Sequence, residues 1–587
     1  MAYFLRKEKR KNGVYLQMYD RNWIKELGQP RNKYIQSCGV VEELKAKGMK
    51  DPIAFYENYV KEKEQERQAQ FNEETRPRAF KECMEKNAGS FLVKTVIDEL
   101  GVKDVIDILA STRKFQFSIY ELIVQLISSR IIEPCSKYKT INNVFPRLYN
   151  YSPMTEDQVL DGLNFIGEFY PRYIELFNHQ YEQYYKRNYS KTYFDCTNYY
   201  FEIDVAKEDK QKGPSKEQRN EPIIGQALLL DADMLPLSME MYPGNQSEKP
   251  FIRTMIEKMK KRYNVSGRTI QIADKGLNCA RNIYAAVKES NDGYIFSKSV
   301  HGKNLSEQEK QWVLMENDAN VFTNYCDSNG ELKYRLKSCV DTFEYKFKEI
   351  DPETGKEEIT KFSVKEKRIV SFNPSLAEKQ KMEIRKMAEK ASRFITMKSL
   401  TRDELGEAAK YVKVSTTDKN GNKVKPSISL NEELLEEDLK YAGYNLIVTS
   451  ETKMPPQQVY SAYHNLWRIE ECFRITKSYL DGRPVYVQKK ETIYGHFLIC
   501  YLALFIIRIL EMKCFKNQVN AYDIIDFIRD FRVVDRGDGV FINISNNKLA
   551  NEKIKSVTGL TLLDALFLSE NELFKLFNST ILLDSEY

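Results

Sequence analysis

Three acidic residues, far apart in the chain, stand where a carboxylate needs a reason. Asp195 falls inside the β-prone, aromatic-rich run Thr192-Tyr-Phe-Asp-Cys-Thr-Asn-Tyr-Tyr-Phe201. A carboxylate in a strand interior costs free energy unless something holds it. Asp274 closes the short apolar run Thr269-Ile-Gln-Ile-Ala273, and strand ends are where α/β sheets place ligand-binding side chains. Glu470 lies in Tyr463–Lys477, a stretch without Gly or Pro that reads as one helix. Its face carries Tyr463, Leu466, Trp467, Glu470, Phe473, Arg474 and Lys477 at three- and four-residue spacing. Three acids converging on one point cannot all ionise without cations. Two Mg2+ ions (or Mn2+) roughly 3.5–4 Å apart would relieve the repulsion and create a phosphoryl-transfer site. One would activate a water or a 3′-hydroxyl and the other would stabilise the leaving oxygen. Each acid also has a plainer reading. Asp195 can be a sheet-edge residue and Asp274 a turn or cap residue before Lys275-Gly276. Glu470 can be the i,i+4 partner of Arg474.

Positioning these acids takes several elements. Residues 189–297 carry strand-like runs at Thr192–Phe201, Ile223–Leu230, Pro236–Met241, Thr269–Ala273 and Gly293–Ser297, with helical runs at Pro250–Arg262 and Asn278–Ser290. Antiparallel-looking strands followed by alternating helix and strand define an α/β layer with a mixed sheet. Residues 298–440 interrupt it as a β-rich insertion, with long alternating strands at Tyr334–Ile350 and Lys361–Phe372 and a hairpin signal at Asp418-Lys-Asn-Gly421. Residues 441–514 resume the core with the strand Tyr444–Thr449, the Glu470 helix and the helix Thr492–Met512. Residues 515–587 read as helical. Upstream, residues 1–60 form a small β unit whose basic arm (Arg6, Lys7, Lys9, Arg10, Lys11) is read either as a phosphate contact or as a solvated terminus. Residues 61–188 are a helical linker and a helical domain, suited to DNA binding or to packing and dimerisation. Gly213-Pro214-Ser215 reads as an exposed loop.

Composition narrows the rest. In 587 residues, 90 basic and 84 acidic side chains leave a net charge of +6, which permits basic patches without demanding a nucleic-acid partner. Ten cysteines without a CxxC pair and only four histidines argue against zinc and for a reducing intracellular setting, so any metal would be a hard ion on carboxylates. The longest apolar run, Phe497–Ile507, is short of the roughly 20 residues of a membrane span and reads as a buried helix. The N-terminus has no apolar signal-peptide core. The expected location is cytoplasmic, away from membranes.

The runs Tyr193–Phe201, Pro243-Gly-Asn245, Ile272-Ala-Asp-Lys-Gly276 and Trp467–Lys477, extended by Arg483–Val487 and Gly495–Ala503, resemble the DDE transposases of bacterial insertion sequences, over about residues 190–510. The resemblance implies an RNase H-like mixed sheet with flanking helices. It implies Asp195, Asp274 and Glu470 as catalytic metal ligands, and DNA as partner with a homodimer assembled on it. In the branch with Tyr, Arg, Glu and Lys around the last acid, Tyr463, Glu470 and Lys477 match; the Arg position is Leu466, and Arg468 lies two residues on. Tyr463 and Lys477 would then meet DNA phosphates. Arg468 and Arg474 are read as DNA contacts or as partners of neighbouring glutamates, and Trp467 as packing. The implied reaction is nicking at the element's ends and joining of the 3′-hydroxyls to target DNA. A metal-dependent nuclease without strand transfer and a catalytically silent DNA-binding derivative are the alternatives.

Overall fold

A computed structural model describes residues 2–24, 29–81, 85–216, 220–300, 305–315, 322–350, 355–397, 405–417 and 423–581. The hairpin signal at Asp418–Gly421 falls outside these residues. The chain divides into two compact units, Met1–Glu85 and Lys86–Tyr587.

The first unit is a three-stranded antiparallel sheet, Ala2–Arg10, Gly13–Ile24 and Gln29–Val40, followed by the helix Pro52–Lys81. Leu16, Met18, Cys38, Val41 and Val60 form its small core. Arg6, Lys7, Lys9 and Arg10 of the basic arm lie on the first strand and Lys11 on the turn after it, with Lys7 paired to Glu57 at 2.6 Å. The helix runs through residue 60, so the β unit and its helix form one body.

The second unit is organised on a nine-stranded mixed sheet. Its strands are β1 (Lys191–Tyr200), β2 (Ile223–Leu230), β3 (Pro236–Pro243), β4 (Ile270–Ala273), β5 (Gly293–Lys298), β6 (Thr323–Cys326), β7 (Leu332–Ile350), β8 (Glu357–Phe372) and β9 (Tyr444–Thr449). The order across the sheet is β6-β7-β8-β9-β5-β4-β1-β2-β3. β1 runs parallel to β4 and β4 to β5, while the remaining neighbours are antiparallel. The five strands β3-β2-β1-β4-β5 have the order and directions of an RNase H-like core. The β-rich interruption is divided: β6, β7 and β8 extend the core sheet through β9, while Val412–Thr417 and Lys423–Leu430 pair antiparallel as a separate two-stranded sheet, as the hairpin signal predicts.

Both faces of the five core strands are covered, with side chains alternating between the two layers, while the far parts of β7 and β8 are largely exposed. Phe194, Cys196, Ala273 and Phe296 pack with Ile252, Met255, Ile256 and Met259 of the helix Phe251–Arg262. Tyr193, Tyr199, Ile272 and Ile295 face the other way, into the larger core. Five helices of that second layer bear on function: α1 (Ile119–Ile132), α2 (Glu156–Glu168), α3 (Pro456–His464), α4 (Trp467–Arg474) and α5 (Lys490–Ile509). The apolar α5 is long enough, by composition, to cross a membrane, but it is buried inside the fold, against α1 and α2.

Two expectations change. The stretch Tyr463–Lys477 is not one helix. Asn465 and Leu466 form a tightened turn between α3 and α4, in which the amides of Arg468 and Ile469 reach back only three residues, and Ile475–Tyr479 widens into a π-helical turn. The region 515–587 is not all helix either. Arg532–Asp535, Val540–Asn543 and Phe567–Ser569 build a small sheet with Lys86–Asn87, a non-local pairing that helical periodicity does not reveal.

Candidate active site

Asp195 and Asp274 come together through strand register. Phe194 of β1 lies opposite Ala273 of β4 in the parallel pair, so the residue after each falls at the same level of the sheet. By alternation Asp195 shares its face with Tyr193 and Tyr199, the face on which α4 packs. Its carboxylate accepts from the amide of Cys196 at 2.7 Å. Burial pushes its pKa up to about 6; Glu248 and Asp274 push the same way, and Lys216 pulls it down.

Asp274 is exposed beyond the end of β4 and is held from two sides. The Ser297 hydroxyl, one residue past the β5 partner of Ala273, donates to it at 3.0 Å, and so does the Tyr463 hydroxyl from α3. Burial and then the Asp274 charge raise the Tyr463 pKa. Tyr463 thus serves the acidic site directly.

Glu470 stands on α4, which packs on β1, with its carboxylate exposed and without an ion pair or hydrogen bond among the described residues. The expected Glu470–Arg474 pair is not formed. Arg474 lies 3.9 Å from Glu471 and donates to the Tyr522 hydroxyl at 2.9 Å, while Arg468 reaches Glu471 at 3.2 Å. Both arginines therefore make the pairings with neighbouring glutamate that were their alternative reading. Trp467 is 46% exposed, with the Arg468 guanidinium 4.2 Å from its ring centre, and so is not a packing residue.

Lys477, on the π-helical turn, lies at the site. Its ammonium is 5.3 Å from the centre of the Tyr199 ring, and burial and then Lys216 press its pKa down to about 8 against the pull of Asp195.

Two charged residues of this site escape a reading of the sequence. Lys216 lies 3.7 Å from both Asp195 and Glu248 and also donates to the Cys196 carbonyl. It arrives on a loop that is docked rather than free. Gly213 lies so close to Gly244 that a Cβ would stand 1.9 Å from the Gly244 carbonyl oxygen, and a Cβ on Gly244 would meet the carbonyls of Ile223 and Gln211. Asn198 receives the Lys216 amide at 3.3 Å and donates to the Pro214 carbonyl at 3.2 Å. The signal was present as two glycine-containing turns, 213–214 and 243–244, but nothing in one sequence says that they touch.

Among the described residues, no three His, Cys, Asp or Glu side chains are gathered closely enough to hold a metal ion. The paired aspartates nevertheless suit a hard cation. Burial raises the Asp195 pKa and Lys216 offsets it only in part, so a cation beside this carboxylate would favour its ionised form. Glu470 would have to turn inward to join them.

A mixed sheet of this order is an RNase H-like core, and it sets Asp195, inside β1, level with Asp274, just past the end of β4. Residues 196–506 match the family model described as "Transposase DDE domain", which is more than half of the chain; the chain belongs to that family. The match takes in Asp274 and Glu470 and begins one residue after Asp195. No curated protein sequence matches the chain. Among solved structures, the cryo-EM structure of the piggyBac transposase synaptic complex with hairpin DNA is similar at 10% identity over 86% of each chain, with a TM-score of 0.33.

Proposed function

We propose that this protein is the transposase of a bacterial insertion sequence, cutting DNA at the element's ends and joining the freed 3′-hydroxyls to target DNA. The observation that carries the reading is the pairing of Asp195 with Asp274 across β1 and β4, in a chain of the DDE transposase family. Asp195 and Asp274 would hold Mg2+ or Mn2+, with Glu470 completing the set from α4. When bound, the ions supply the positive charge that favours attack on a phosphodiester and departure of its 3′-oxygen.

The chain's own residues have separate tasks. Tyr463 and Ser297 hold the Asp274 carboxylate in one orientation. Lys477 and Lys216 flank Asp195 and would face the DNA phosphate as point charges. Tyr463, Glu470 and Lys477 keep three positions of the Tyr-Arg-Glu-Lys signature, with Leu466 at the fourth. Arg468 and Arg474 remain secondary DNA contacts because Glu471 already engages them. Two ends must be cut together, so a homodimer on DNA in the cytoplasm is the working unit.

The test is a cleavage and strand-transfer assay with labelled element ends and Mg2+, comparing the wild type with Asp274→Ala and Glu470→Ala. Loss of both products with DNA binding retained is expected, because phosphate contacts carry most of the affinity. Full cleavage in either variant overturns the site. Cleavage without joining in the wild type identifies a nuclease instead.

A further inference from the structure

Away from the acidic site, one cavity is lined by a buried lysine that no carboxylate pairs among the described residues. It has a volume of about 560 Å³ and lies between the start of α2, the helical turn Lys137–Lys139 and residues 486–492. Lys137 lines it and is only 7% exposed, with no hydrogen bond or ion pair among the described residues. Burial, and then the charge of Arg130 beside it, press its pKa down to about 7. Arg130, on α1 and 5% exposed, has no ion pair either. It makes only long contacts of 3.4–3.5 Å, to the carbonyls of Leu480, Asp481 and Cys135 and to His496 Nδ1. A desolvated cation is costly until an anion pairs with it, and Lys137 is in that position; Arg130 acts on the Asp481 carboxylate as well as on its carbonyl partners.

The mouth of the cavity says which anion. Tyr138 and Tyr486 line it while 65% and 60% exposed, and Lys489 adds a further positive charge. Glu156, Asp157 and Asp161 are exposed, on the α2 side alone. Open aromatic faces beside a positive charge suit an unpaired nucleic-acid strand, whose bases stack while its phosphates seek cations. The cavity is also continuous with the catalytic layer. Residues 480–489 run on from the turn that carries Lys477, Gly482 lies against Tyr199 of β1, and the Lys210 ammonium donates to the Gln488 carbonyl at 2.8 Å.

We propose that this cavity is a second DNA contact, taking one backbone phosphate of an unpaired strand at Lys137 while the adjoining base lies on Tyr486. It rests on the reading that the chain acts on DNA. The test uses the full chain and fluorescein-labelled single-stranded and duplex oligonucleotides, read by anisotropy across a salt series. Tyr486→Ala, at an exposed position, should weaken single-strand binding by roughly tenfold, the range of one lost base stack, and leave duplex binding within about twofold. Lys137→Met should weaken single-strand binding and reduce its salt slope by about 0.7, the share of one phosphate contact. If either variant binds the single strand as tightly as the wild type, the proposal fails; equal losses on duplex and single strand also overturn it. Should Lys137→Met not fold, Tyr486→Ala decides alone. A wild type that binds no DNA at all overturns the proposed function as well, which separates the two failures.

Discussion

The Arg508 guanidinium donates to the Glu471 carboxylate at 2.7 Å, with the two side chains only 1% and 8% exposed. This buried pair ties α4 to α5, and Arg468 closes on the same carboxylate. The glutamate embedded in the packing stripe is therefore Glu471, and the carboxylate of its neighbour Glu470 is exposed and unpaired among the described residues. One residue along a helix turns the side chain by about 100°, and that rotation buries Glu471 in an ion pair while leaving Glu470 open to solvent.

Glu471→Gln should lower the unfolding free energy by about 2–3 kcal/mol. That is near the lower end for breaking a buried pair, because Arg508 keeps Glu511 as a partner. Glu470→Gln should change stability by less than about 0.5 kcal/mol, as exposed substitutions do, and abolish cleavage. Urea unfolding of the two variants in parallel checks this; equal destabilisation would overturn it.

The Asp195 and Glu471 carboxyls give opposite pH dependences. Burial and neighbouring carboxylates raise Asp195 to about 6, so the native state binds its proton more tightly than the unfolded chain does. Its ionisation then costs stability as pH rises from about 4 through 6. Asp195→Asn should make the metal-free chain more stable at pH 7.5, by on the order of 1–2 kcal/mol, with little change at pH 4.5, while cleavage is lost. Burial raises Glu471 too, but Arg508 and Arg468 more than offset it and its carboxyl lies below the ordinary value. Its contribution is present above about pH 4.3 and is lost as pH falls through its folded value. Denaturation at several pH values, in the wild type and both variants, measures each.

Lys216 occupies part of the charge deficit at Asp195. A divalent ion settling there has to displace its ammonium, so Lys216→Met should bind Mn2+ roughly two- to fivefold more tightly, the scale of partly exposed ion pairs. Its DNA cleavage should nonetheless fall, because a charge facing the phosphate is gone. Calorimetry with Mn2+ and no DNA gives the first number; unchanged or weaker binding would show that Lys216 does not compete.

Gly213→Ala tests how Lys216 is delivered. A Cβ 1.9 Å from the Gly244 oxygen must push the loop away, at a cost of about 1–3 kcal/mol for overpacking. Cleavage should fall with it. Pro214, exposed on the same loop, provides the control: Pro214→Ala should leave cleavage within about twofold, as a surface substitution does.

The sequence by itself determined the local structure and the chemistry available. Alternation in Thr192–Phe201 made a strand with an acid inside it, the apolar run ending at Asp274 made a strand end, and the apolar Phe497–Ile507 made a buried helix. These follow from propensity and from the periods of helix and strand, which short windows contain. The tertiary structure decided which residues meet. The parallel register of β1 and β4 sets Asp195 beside Asp274. The turn at Asn465–Leu466 breaks what periodicity reads as one helix and gives Glu471, not Glu470, to Arg508. The contact of Gly213 with Gly244 brings Lys216 to the acids. Residues dozens to hundreds of positions apart are matched by packing and charge, and no window of the chain records those matches.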